Sequence, residues 1–510
     1  MDKPSTIHDV RQIGGGYEDL IPEQFADREG ERLLIQRRVE AARTGEVEYP
    51  LVEFYGVVGQ GKSWLLSYLA HQYWFSNGRG PSPKKPTFSA KIDFDVFHTP
   101  SHSHSLLQSL TSQIREQLTE AEPELKLPRS LEKDAPPPEN VDAVAKELAE
   151  FMAGLTDRYV PVLAFDATEK ADEKLLDWLE EQVVYPIIRT NRAIFVFSGR
   201  LWHRWKIFEV RRRVEPVELF PLDPKREQVE GTAELLTKLD VKRAEAVARA
   251  LYDYAFGHPL ASKVIFKELQ ELAPERIDEH TIEKNRDVIA EIVKDKVIEE
   301  RFFDELGKHK YLEPLLWGVC ILRKFNPTPL RHFTVSFIDD EYEQKPGGFY
   351  LDAIRDMQDT TLVQWNSAAG GYTLDPVVRK IMAKNLSLQD PAEFRRRHQE
   401  AVELYDKWIE QFPRNAVGFL IERTFHRNWA LRDSKTQREI GETLVSEFDQ
   451  ILKDVEKHPD VQWDLPDMAA ALNEELTKDE ELEEVISKDV FEELVECAER
   501  FREKLRGLWS

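Results

Sequence analysis

LVEFYGVVGQGKSW, Leu51 to Trp64, is the stretch whose reading decides the rest. Leu51 to Tyr55 is a short apolar run of strand type, and Trp64 to Trp74 reads as an amphipathic helix. Between them Gly56 to Ser63 satisfies G-x-x-x-x-G-K-[ST]. Strand, glycine turn and helix are the context in which this spacing cradles phosphate. Gly59 and Gly61 let the backbone curl so that successive N–H groups point inward, and the helix adds the positive end of its dipole. Lys62 can neutralise β- and γ-phosphates, and the Ser63 hydroxyl can ligate a bridging Mg2+. Gly56, Gly59, Gln60, Gly61, Lys62, Ser63 and Trp64 are therefore the candidate nucleotide contacts. The plainer alternative is a glycine-rich turn that happens to end in Lys-Ser.

Working outward, a chain of 510 residues has room for several domains. Its net charge of −24 argues against non-specific binding to nucleic acid or an anionic membrane. Two cysteines, Cys320 and Cys497, supply no disulfide framework and no zinc spacing, which fits a cytoplasmic protein. No apolar run approaches the ~20 residues a bilayer-spanning helix needs.

Downstream of the loop, Thr87 to Phe97 alternates apolar and polar as a strand does. Glu120 to Asn140, with its Pro136-Pro137-Pro138 run, reads as an exposed insertion. Tyr159 to Phe165 is a second apolar strand, ending in Asp166-Ala167-Thr168-Glu169. An Asp at the tip of such a strand suits a second magnesium contact, and a nearby carboxylate can polarise the attacking water. Ser63 and Asp166 are thus the metal candidates, and Glu169 the catalytic one. The competing reading makes Asp166 the N-cap of a helix over Lys170 to Glu181, with Glu169 its capping-box partner. Asn191 to Ser198 is a third buried strand, followed by Gly199-Arg200. Arg200 is placed to sense a γ-phosphate, or is a surface loop arginine. Val214 to Phe220 closes an α/β domain with a mostly parallel sheet.

Beyond Pro221 the pattern turns helical. Gly257-His258-Pro259 opens a helix running to Leu272, and His258 alone reads as structural. Helices over 311–357 precede a hairpin with strands at 361–365 and 372–374, an order that suggests a winged helix. From Pro391 onward all is helical without a clean repeat. Residues 441–510 carry 21 Asp and Glu against 8 Lys and Arg, which reads as a solvated acidic face.

The order of motifs resembles the STAND signalling NTPases, the class that includes the NB-ARC modules of plant resistance proteins and animal apoptosome proteins. Gly56 to Ser63 matches the Walker A motif and Val162 to Glu169 (VLAFDATE) the Walker B. Phe197 to Arg200 (FSGR) sits where the sensor arginine stands, and Gly257 to Ala261 (GHPLA) is similar to the Gly-x-Pro motif. Phe25 to Glu29 (FADRE), with Arg28, is similar to the segment that opens the nucleotide domain beside the base. The resemblance spans about Phe25 to Lys384. It departs at Thr373-Leu374-Asp375, where NB-ARC modules carry Met-His-Asp; only the Asp agrees, as a lid contact or as a helix cap.

The resemblance implies a multidomain α/β plus α chain. Its expected parts are a flexible arm over 1–24, a P-loop NTPase domain over 25–220, a helical lid over 221–300, a winged helix over 301–388 and a helical sensor or partner domain over 389–510. It implies ATP or ADP with Mg2+ as ligands, Pro259 against the adenine, and catalytic roles for Lys62, Asp166, Glu169 and Arg200. It further implies a slowly hydrolysing switch, held closed by ADP, that oligomerises or engages a separate effector or sensor protein in the ATP state. The alternatives are a DNA-handling ATPase similar to archaeal replication initiators, and a nucleotide-binding scaffold without turnover. Against DNA stands the charge of Gly348 to Thr360, where Asp352, Asp356 and Asp359 face a single Arg355.

Overall fold

The computed structural model describes residues 25–74, 85–119, 128, 140–223, 225, 228–239, 241–272, 277–360, 362–367, 370–432, 434–462 and 464–509. The expected arm over 1–24 and nearly all of the proline-rich stretch over 120–140 lie outside them. The chain divides into two compact units between Asn285 and Arg286.

The first unit is built on a five-stranded parallel sheet. Its strands are β1 (Leu51–Tyr55), β2 (Thr87–Asp93), β3 (Val160–Asp166), β4 (Ile194–Gly199) and β5 (Val214–Glu218), in the order β2-β3-β4-β1-β5. β4 therefore lies between the glycine-loop strand and the strand ending in Asp166. Register is parallel throughout, with Val52 opposite Val196 and Phe165 opposite Phe197.

The period of two along each strand sorts the side chains onto two faces. Val52, Phe54, Val162, Ala164, Ile194 and Val196 pack with helices α1 (Glu29–Thr44) and α2 (Lys62–Gln72). Phe88, Ile92, Leu163, Phe165, Phe195 and Phe197 pack on the opposite face with α3 (Ser103–Thr119) and α4 (Val141–Leu155). This parity has a functional consequence. Lys91, Asp166 and Ser198 all fall on the α2 face, at or near the C-terminal ends of three adjacent strands.

The helix expected from Lys170 begins later, at Glu173, and its N-cap is Asp172, whose carboxylate accepts from Lys174 N–H. Asp166 is not a cap: it ends β3 as a buried strand residue. A single 3-10 turn over Thr168–Lys170 separates the two. Still in the first unit, helices Glu230–Lys238, Ala244–Ala255 and Pro259–Leu272 follow β5.

The second unit carries helices Glu313–Val319, Pro327–Phe337 and Gly347–Asp359, then an antiparallel hairpin of β6 (Val363–Asn366) and β7 (Gly371–Leu374). Asp375 caps the next helix, accepting from the N–H groups of Val377 and Val378. Long helices over Pro391–Gln411, Ala416–Leu431, Gln437–Lys457 and Lys488–Trp509 complete the unit. Among the described residues no helix is long and apolar enough to cross a membrane, and both cysteines are free and buried.

Candidate nucleotide site

The loop between β1 and α2 has the backbone its glycines predict. Gly56, Gly59 and Gly61 stand at φ of 146°, 79° and 86°, in the range that L side chains rarely adopt. At Gly59 space also forbids a side chain, since a Cβ would lie 2.5 Å from the His258 ring. The helix begins at Lys62 immediately after the turn, so its first N–H groups face the loop mouth.

Lys62 Nζ donates to the carbonyls of Gly56 and Val57, at 2.6 and 2.7 Å. Burial lowers its pKa to about 8, against the opposing pull of Glu169 and Asp166. Ser63 Oγ donates to Asp166 Oδ1 at 3.1 Å. The same oxygen accepts from Ser198 Oγ and from the Ala167 N–H. Lys91 Nζ lies 2.8 Å from Asp166 Oδ2 and donates to Ser67 Oγ. Burial alone would raise the Asp166 pKa. Lys91 and the two serine hydroxyls outweigh it and hold the carboxyl below its ordinary value.

Glu169 and Arg200 form a pair. Arg200 Nε lies 3.4 Å from Glu169 Oε1, and the Arg200 N–H donates to Glu169 Oε2 at 3.3 Å. Gly199 permits this approach, because a Cβ there would sit 2.0 Å from Thr168 Oγ1. The Arg200 carbonyl in turn accepts the Gly56 N–H, joining the strand tip to the start of the loop.

Arg28 is buried and donates to the carbonyls of Gln60 and Phe220. It thereby braces the loop from the segment preceding α1. Gln60 is buried too, while Trp64 lies under the ammonium of Lys263, 4.2 Å from the ring centre. Pro259 is the first residue of its helix, as its fixed φ favours.

The structure thus gathers Gly56, Gly59, Gln60, Gly61, Lys62, Ser63, Asp166, Glu169, Arg200 and Arg28 around one loop. Two further residues support the loop: Lys91, which escaped the sequence reading, and His258, which reads there as structural. Lys91 sits in a half-apolar strand where nothing but parity with Asp166 marks it. His258 is fully buried, with Nε2 3.0 Å from the Val58 carbonyl and Nδ1 accepting the Ala261 N–H. These contacts imply a proton on Nε2. Burial lowers its pKa to about 4, so the ring is neutral at physiological pH. The neighbouring Leu260 N–H reaches the Gly59 carbonyl at 3.3 Å.

Sheet order, loop and converging carboxylate define a P-loop NTPase fold. No family model and no curated protein matches the chain. Among solved structures, a Walker-type ATPase of Pyrococcus abyssi is similar over 70% of this chain and 96% of that one, at 17% identity and a TM-score of 0.49. The Aeropyrum pernix ORC2 protein in its ADPNP–ADP complexes is similar over 74% and 97%, at 15% identity and a TM-score of 0.45. The Thermotoga maritima RuvB Holliday junction branch migration motor is similar over 69% and 93%, at 14% identity and a TM-score of 0.33.

Proposed function

We propose that the chain is an ATP-binding, slowly hydrolysing switch of the STAND type. The observation that carries this reading is the direct tie between the glycine loop and the segment opening the helix Pro259–Leu272, through His258 to Val58 and Leu260 to Gly59. A ligand held by the loop's N–H groups necessarily acts on the carbonyls that hold this segment. It shifts the switch by its differential affinity for the two arrangements.

The all-oxygen pair of Ser63 and Asp166 fits a hard cation. These two residues would hold Mg2+, which would supply charge neutralisation of the phosphates. Lys62 and the loop amides bind the phosphate chain. Glu169 orients and deprotonates water once Arg200 has turned from it toward the γ-phosphate. Arg28 keeps the loop in shape, and Gln60, Trp64 and Pro259 border the nucleotide. The second unit serves as winged helix and as sensor or partner surface, and output passes to a separate protein or to further copies of the chain.

The test is the nucleotide released from purified protein, read with its mass in solution. Tightly held ADP on a monomer, with a larger species in ATP or a slowly hydrolysed analogue, supports the switch. Unchanged mass in every nucleotide, with and without candidate partners, removes its main support. The DNA-handling alternative is disfavoured by helix Gly347–Asp359, where Arg355 is already paired with Asp352; salt-dependent DNA binding would revive it. A scaffold without turnover becomes preferable if Glu169→Gln changes neither hydrolysis nor assembly.

A further inference from the structure

On the sheet face opposite α2, three side chains converge in an arrangement that the nucleotide chemistry does not use. We propose that Asp177, Glu180 and His203 form a binding site for a divalent transition-metal cation, zinc being the ion their donor set fits. One donor atom from each lies within 4.8 Å of the others. Tetrahedral ligands each ~2.0–2.2 Å from one zinc ion stand about 3.3–3.6 Å apart, so the three donors would close by about 1 Å on binding.

The local backbone explains the convergence. Asp177 lies on helix Glu173–Leu179, and Glu180 opens a π-helical turn over Glu180–Val184. A spacing of three residues puts both carboxylates on one helix face, and π turns inside helices are frequent at functional sites. His203 comes from the segment after β4. Its backbone N–H donates to Glu53, and its ring meets Trp205 edge-on at 4.9 Å. The segment that carries the imidazole is thereby held in place, with the ring packed against Trp205.

A second, independent observation points to a ligand. Asp177 Oδ1 and His203 Nε2 are both buried atoms that lack any hydrogen-bond partner among the described residues. Two unsatisfied acceptor positions in one cluster are costly, and a cation satisfies both at once. Burial holds the His203 pKa below its ordinary value, so its nitrogen lone pair is available at neutral pH. Glu180 is buried and oriented by the N–H groups of Lys206 and Ile207, at 2.9 and 2.8 Å, with lone pairs to spare. Such support of a ligand is what tunes metal sites. Lys206 also holds Asp177 Oδ2 at 2.6 Å, but its side chain is 55% exposed and can leave to solvent.

One imidazole and two carboxylates are a three-ligand set for zinc with a further position for water. Magnesium is the poorer match, because it prefers oxygen and retains its waters. The site is separate from Ser63 and Asp166. Its link to them is the chain itself, since His203 follows Arg200 by three residues.

The test uses the full chain, stripped with a chelator, titrated with Zn2+ by calorimetry and with Co2+ by visible absorption. A single equivalent is expected to bind. His203→Gln and Asp177→Asn should each weaken binding about 10–100-fold, while Lys62→Ala and Ser63→Ala leave it unchanged. Zinc should raise the Tm of the parent chain and not of His203→Gln. Should His203→Gln not fold, the part-exposed Asp177→Asn carries the comparison. Absence of stoichiometric binding, or equal affinity in the folded variants, overturns the assignment.

Discussion

Lys91 Nζ lies 2.8 Å from Asp166 Oδ2, joining the edge strand β2 to its neighbour β3 through a pair whose carboxylate is only 3% exposed. Breaking a buried pair from one side leaves an uncompensated charge. Lys91 is 23% exposed, so the cost is smaller than for a fully buried pair. We expect Lys91→Met to destabilise the first unit by about 2 kcal/mol in chemical denaturation. The pH dependence follows from the depressed folded-state pKa of Asp166. Its stabilising contribution is present above the unfolded carboxyl value and is lost as pH falls through the folded one. Without Lys91, burial dominates, and the acid loss of stability should begin at higher pH. An unchanged acid limb would show that Ser63 and Ser198 suffice.

Lys62 carries a second pH-sensitive charge. With its pKa lowered to about 8 by burial, the ammonium is charged at neutral pH and titrates just above it. Nucleotide affinity should therefore weaken as pH rises through 8 and hold steady below, measured with a fluorescent nucleotide between pH 6.5 and 9.5. Lys62→Ala should weaken binding at neutral pH and abolish this dependence. Glu169→Gln should keep binding and lower turnover by about 10²–10⁴-fold, the usual range for losing a general base. Equal loss of binding in both variants would assign Glu169 to shaping the site.

Removing His258 is expected to release the loop from the following helix. His258→Ala leaves the Val58 carbonyl without its 3.0 Å partner, a cost of about 1–3 kcal/mol. Gly59→Ala attacks the same contact from the other side, because its Cβ would lie 2.5 Å from the ring at a φ of +79°. The two substitutions share one contact, so their effects should be less than additive. Because the folded-state pKa of His258 is depressed to about 4, the unfolded chain takes up the proton first as pH falls from 6.5. Stability is lost across that window, by at most roughly 3 kcal/mol. His258→Ala should flatten that part of the profile and speed ADP release.

How much of this was legible in the sequence depended on whether a signal was local. The glycine loop, the four other strands and the helix from Pro259 are marked by spacing and apolar runs, and each formed within a few residues of its expected bounds. Asp166 had a competing reading, since an Asp after a strand is also a common cap; the cap proved to be Asp172, six residues on. Lys91 carried no local mark, and His258 was marked only as a structural histidine with no partner named. Their roles come from strand order and from a contact across 200 residues, to Val58, which no periodicity encodes. The Glu169–Arg200 pair was readable as two candidates and not as a bond.

Glu53 is the clearest case of a residue against its pattern, a carboxyl inside LVEFY that is fully buried. It accepts from the His203 N–H and from Trp205 Nε1, fixing the segment that follows Arg200. Burial raises its pKa to about 7, more than these two donors lower it. The sign is opposite to that of Asp166. The folded state holds the proton between the ordinary carboxyl value of 4.5 and about 7, so this group favours folding at the acid end and its contribution declines as pH rises through that window. Glu53→Gln removes the titration and should flatten the stability profile between those limits, read as denaturation midpoints at successive pH values. It also presents an amide N–H₂ to one of two donors, so a uniform loss of about 1–3 kcal/mol is expected on top. A profile whose slope survives the substitution would assign the titration to another group.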